Sequence, residues 1–188
     1  MKVAIFFLII FTLITTAQTK EFDFRKAKWG MTENEVRASE TGKFYTDIVN
    51  GFVYEDRIAD MNAFVFYMFG SNKLAMASYM IDKEHSNKND YISDFKTLKN
   101  LLIKKYGEPY LDKTIWKNNL YKNDLDDYGM AISVGHLVYT AKWSHIGTEI
   151  FLRLSGDNYK IMLGIDYTSK VYSDYLKIEV EKEHLEGL

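Results

Sequence analysis

Ala131-Ile132-Ser133-Val134-Gly135 stands one residue away from the G-x-S-x-G nucleophile elbow, in which a serine on a tight strand-to-helix turn is presented to a general base. The histidines that follow it are His136, His145 and His184. An acyl-transfer site needs a strand before the serine, a helix after it, a base within hydrogen-bond reach and an acid to orient that base. Here the residues after Ser133 read as a strand. The chain is also short for the parallel sheet of an α/β-hydrolase. Ser133, His136 and His145 are the only candidates for catalysis, and the expectation is that none of them is catalytic.

Metal chemistry has less support. There is no H-E-x-x-H motif and no cysteine in the chain, so the usual zinc ligand sets are missing. His145 and Glu149 are four apart, but Gly147 lies between them in what reads as a strand connection, so they would not share a helix face. Asp124-Leu125-Asp126-Asp127-Tyr128-Gly129 approaches a calcium loop. The loop needs Asp or Asn at its fifth position and Glu at its twelfth, where this chain has Tyr128 and Gly135. Asp124, Asp126 and Asp127 therefore read as a solvated acidic turn, with weak calcium binding as the most they would do. No cofactor is expected. Fourteen Tyr, twelve Phe and three Trp can fill a cysteine-free core and cover sheet faces. Any that stay exposed on a sheet could stack on sugars or line an apolar groove.

The elements that would position these residues are easier to read. Tyr91, Phe95, Leu98, Leu102 and Tyr106, with Ile92 and Leu101 beside them, recur at the spacing of a helix with one buried stripe. Lys96, Lys99, Asn100 and Lys105 face away. Asp90 is placed to cap the start, Asp94 sits in the first turn, and Lys104 and Lys105 sit in the last, matching the helix dipole. Gly107 and Pro109 then stop it. A shorter helix opens after Trp29-Gly30. Thr32 and Glu35 make a capping box, and Met31 and Val36 a hydrophobic staple; Thr41-Gly42 ends it after Glu40. Phe52 to Ile58 reads as a short strand, with Asp60-Met61-Asn62 as a turn. Ala63 to Phe69 and Leu74 to Ile81 form a central apolar hairpin. Lys83 to Asn89 reads as a solvated loop. Thr114 to Trp116 suits a strand, Leu125 to Gly135 a short helix, and Leu137 to Trp143 a strand. Ile150, Leu152 and Leu154, then Ile161, Leu163 and Ile165, alternate as a hairpin around Gly156-Asp157-Asn158. Ser173 to Leu185 fits a helix or a strand equally.

Gly30-Met31-Thr32-x-x-Glu35-Val36 resembles the helix opening of SmpA/OmlA-type (BamE-like) envelope domains, which are small α+β domains of the outer-membrane assembly machinery. Those domains follow the helix with a Leu-Gly-x-Pro stop. Here Arg37 to Phe44 has none, and Tyr106-Gly107-Glu108-Pro109 closes a different helix. The likeness spans seven residues, each of which capping also explains, so it implies no activity. The longer pattern is a W-G-M-T helix, a hairpin, a helix ending Y-G-x-P and then strands with Trp. It resembles small exported bacterial proteins of unknown function, and implies architecture.

Met1-Lys2, the uncharged run Val3 to Ile14 and Thr15-Thr16-Ala17 make a secretory signal peptide over residues 1–17. That run is shorter than the roughly 20 apolar residues that span a bilayer, and no second one follows, so no membrane span is expected after cleavage. Residues 18–188 are expected to form one α+β domain in the periplasm or outside the cell, without disulfides. The fold class is α+β: a mainly antiparallel twisted sheet with two or three helices packed on one face. A formal net charge of −2 without a basic stripe argues against nucleic acid as a partner. The leading reading is an exported non-catalytic binding or interaction module whose partner is an unknown protein or envelope component. The alternatives are a small serine hydrolase using Ser133 and a His, or a carrier of a small apolar ligand held between helix and sheet.

Overall fold

Period-two alternation along most of the chain produces one antiparallel eight-stranded sheet, in a computed structural model that describes residues 22–186. The expected leader over residues 1–17 lies outside them. In order, the elements are α1 (Glu33–Ser39), β1 (Lys43–Ile48), β2 (Gly51–Ile58), β3 (Met61–Gly70), β4 (Lys73–Ile81), α2 (Asp90–Tyr106), β5 (Leu111–Trp116), a 3-10 turn (Leu125–Asp127), α3 (Tyr128–Ser133), β6 (Leu137–His145), β7 (Thr148–Asp157), β8 (Lys160–Ser169) and α4 (Ser173–Glu186). The strand order is β1-β2-β3-β4-β8-β7-β6-β5. Each half is thus a helix followed by a four-stranded meander, and the halves meet where β4 pairs with β8. This topological repeat leaves no repeat in the sequence. The short edge strands β1 and β5 carry charges, a common defence against edge-to-edge pairing.

Two-residue loops close the hairpins, and they set the register. Ala59-Asp60, Ser71-Asn72 and Asn158-Tyr159 all take positive φ, the mirror-image turn whose twist matches antiparallel strands. The turns expected at Asp60-Met61-Asn62 and Gly156-Asp157-Asn158 therefore centre one or two residues away. Met61 and Asp157 are already strand residues, paired with Ile58 and Lys160.

One face of the sheet is sealed by helices. Val65, Tyr67 and Phe69 of β3 are buried there, with Ile150, Leu152 and Leu154 of β7 and Leu163 and Ile165 of β8. Onto them α1 brings Val36, α2 brings Phe95, Leu98 and Leu102, and α3 brings Ile132. The capping box at Thr32 and Glu35 is present. The α2 start differs from expectation. Asp90 is the first helical residue, and the preceding Asn89 makes no cap to the helix. Asn89 instead accepts from Gly129 N–H (2.6 Å) and donates to the Asp126 carbonyl (2.8 Å), which ties α2 to α3.

Two segments were not legible from sequence. In β1 a bulge between Phe44 and Thr46 breaks the alternation, and the strand is mostly exposed, so it shows no apolar stripe. The segment from Ser173 is helical. Both neighbours of β8 are already taken by β4 and β7, so the chain leaving Ser169 cannot extend the sheet there. It turns instead, with Ser169 Oγ accepting from the N–H groups of Val171 (3.3 Å) and Tyr172 (3.2 Å). Helix α4 then crosses to the second face. Gly70 follows the core residue Phe69, so alternation aims its missing Cβ at that face. A Cβ there would lie 2.3 Å from Leu176 N.

Candidate functional site

With α1, α2 and α3 on one face, the alternate side chains of every strand point to the other, which α4 crosses against β3 and β4 with a close approach at Gly70. Strand register arranges these side chains in rows. One row runs Val53, Phe66, Ser78, Asp166, Phe151, Lys142 and Leu111 across seven strands. The next runs Glu55, Phe64, Met80, Gly164, Arg153 and Thr140. At the β1 edge Tyr45 packs on Phe64, with ring centroids 4.9 Å apart. Met80 is 39% exposed and Met162 49%. These polarizable and aromatic groups are the ones that adapt to a binding surface.

At the centre of this face is a shallow cleft of about 190 Å³ over Gly164, lined by Ser78, Met80, Ser155, Met162 and Asp166, with Arg153 at its rim. Glycine leaves the floor bare in a row that otherwise carries side chains. The Asp166 carboxylate has no hydrogen bond and no ion pair among the described residues. Burial pushes its pKa up, and the field of Arg153 offsets this only in part. An unpaired, half-buried carboxylate costs folding energy.

That cost has a pH signature. Below the ordinary value of 3.8, Asp166 is protonated both folded and unfolded. As pH rises, the unfolded state ionises first, so the stability contribution of Asp166 falls until pH has passed its raised folded pKa. Asp166→Asn removes this loss. Urea midpoints should therefore place the variant further above wild type at about pH 7 than at about pH 3. An advantage that shrinks with rising pH would refute the burial argument.

The residues singled out from sequence do not assemble. Ser133 is fully buried, and its hydroxyl donates to the Met130 carbonyl at 2.8 Å. Helix α3 precedes it and β6 follows, the reverse of an elbow. His136 stacks near Tyr121, with centroids 5.7 Å apart, and its Nδ1 is buried without a partner. His145 packs on Tyr106 at 5.2 Å. His136 precedes β6 and His145 ends it. With nine residues in the strand at about 3.3 Å each, the two histidines are about 30 Å apart. Asp124 Oδ1 accepts from Asp126 N–H at 2.9 Å, capping the 3-10 turn. Asp124, Asp126 and Asp127 are exposed, and no cluster of three potential metal ligands occurs among the described residues. Glu149 pairs with Lys170 at 3.0 Å.

Two groups of polar residues were missed. His85, in the expected solvated loop, is half-buried. Its Nε2 lies 2.6 Å from Asp94 Oδ2 and its Nδ1 3.8 Å from Asp90 Oδ2, and Tyr91 meets it edge-on. Both ring nitrogens face carboxylates, so the imidazole pins the loop to the first turn of α2. Asp166 was read only as part of an alternating strand. Its spacing told which face it occupies, but nothing local told that the face is open. Compared with family models, curated proteins and solved structures, the chain matches none.

Proposed function

We propose that this protein is an exported, non-catalytic binding module that engages a protein partner through the uncovered face of its sheet. The observation that carries this reading is the pair of in-register rows containing Phe64, Phe66, Met80 and Phe151 around one unpaired carboxylate, on a face that three of the four helices leave open. Apolar side chains left partly exposed side by side mark interaction sites, and carboxylates without partners are kept where they meet one. Export rests on the leader pattern of residues 1–17. No helix among the described residues is long and apolar enough to cross a membrane.

The rival readings have less to draw on. A hydrolase would need Ser133 freed from the Met130 carbonyl. A carrier would need Phe95, Leu98 and Leu102 withdrawn from the sheet they pack on.

The test is site-specific photo-cross-linking in the native host. A benzoyl-phenylalanine at Phe66 or Met162 is expected to give a discrete adduct on protein whose intact mass begins at Gln18. The same probe at Lys96, exposed on α2, is expected to give none. Adducts as strong from Lys96 as from Phe66 would refute the assignment of the face, and a retained Met1 would refute export.

A further inference from the structure

The open face has one polar feature at its centre, and its chemistry narrows what it can take. The cleft over Gly164, at about 190 Å³, is smaller than the roughly 300–1,000 Å³ of small-molecule pockets. It is a socket for one side chain within a wider contact. Its polar groups are the Asp166 carboxylate and the hydroxyls of Ser78 and Ser155, none hydrogen-bonded among the described residues. Ser78 is the cross-strand neighbour of Asp166, whereas Ser155 is opposite Met162, four residues and about 13 Å further along β8, at the other end of the cleft. An ammonium has three rotatable donors and no acceptor. Met80 and Met162 provide apolar walls, suited to the alkyl stem of a side chain whose charged head is held at one end.

Resting on the reading of this face as the binding surface, we propose that the cleft is the anchor pocket for a lysine side chain of the protein partner, its ammonium bonded to Asp166 and Ser78 and its stem laid across Gly164 between Met80 and Met162. The cations already near are Arg153, at the rim without an ion pair to Asp166, and Lys142, which sits 4.8 Å from the Phe151 ring centroid one strand further on. Neither neutralises the carboxylate. A partner lysine supplies the charge that the fold leaves out, and Arg153 opposes it by like charge.

The experiment is an NMR titration of the mature protein with acetyl-Leu-Phe-Lys-Phe-Leu-amide and with the same peptide carrying norleucine in place of lysine. The lysine peptide is expected to shift the amide signals of Ser78, Gly164 and Asp166 saturably and to bind about tenfold tighter than its neutral counterpart, a difference of one charge-assisted contact. In Asp166→Asn the two peptides should bind equally. In Arg153→Gln the lysine peptide should bind more tightly than in wild type. Equal affinities in wild type, a lysine preference that survives Asp166→Asn, or no shift with millimolar peptide would each overturn the lysine pocket. Equal affinities with shifts still confined to the open face would leave that face standing as an apolar docking surface. Failure of the face itself is read separately, from the cross-linking at Phe66 and Lys96.

Discussion

Arg25→Ala is expected to lower stability by about 3–5 kcal/mol, the cost of breaking a buried ion pair from one side. Arg25 sits in the arm before α1, in the left-handed region at φ 53°. The neighbouring Phe24 packs on Tyr67, Tyr79 and Tyr167 at 5.0–5.5 Å between ring centroids. The guanidinium Nε donates to Glu40 Oε1 at 2.9 Å and a terminal nitrogen donates to Asp56. The Tyr67 hydroxyl donates to the same Glu40 oxygen. The Glu40 side chain is 2% exposed, and its second oxygen has no partner. Burial works against the charge on Arg25, but the hydrogen bond to Asp56 and the fields around it, that of Glu40 included, outweigh this and raise its pKa. Burial, then the bond to Glu40, pushes the Tyr67 phenol up. Without Arg25 the Glu40 carboxylate stays buried with a single donor. Urea melts of Arg25→Ala and of the double variant Arg25→Met/Glu40→Leu separate the causes. The double variant should recover most of the loss, since apolar replacement of both partners removes the unpaired charge. A loss below about 1 kcal/mol in the single variant would mean the arm is not held by this network.

Leu98→Ala is the second large effect, expected at about 2–5 kcal/mol for a buried leucine that leaves a cavity. Leu98 is 1% exposed at the centre of α2, where the helix lies on β6 and β7. Two changes on the same helix are the controls. Leu101, which the spacing puts beside the buried stripe, is 47% exposed, so Leu101→Ala should fall within about 0.5 kcal/mol. Lys99 is not free as its spacing suggested. Its ammonium meets Asp112 at 2.8 Å, a surface pair worth about 0–1 kcal/mol. Equal urea midpoints for Leu98→Ala and Leu101→Ala would mean the helix is docked on a different face.

What the sequence determined by itself is the set of features that reach only a few residues along the chain. The capping box at Thr32 and Glu35, the stripe of Phe95, Leu98 and Leu102, the stop at Gly107 and the alternation of Ile150, Leu152 and Leu154 are all local, and all are present. These were enough for the α+β class and for the covered face of the sheet. Tertiary structure decided the rest, because the deciding partner lies far along the chain. Asp166 becomes the centre of a cleft only when β8 pairs with β4 and brings Ser78 beside it. Arg25 finds Glu40 and Asp56 only after the arm folds back. Ser173 to Glu186 becomes helix because β8 has both neighbours filled. Ser133, which local pattern made the most reactive-looking residue, is sealed by the turn that joins α3 to β6. Local sequence determines which way a side chain points. Whether that side is open to a partner depends on what the rest of the chain packs there.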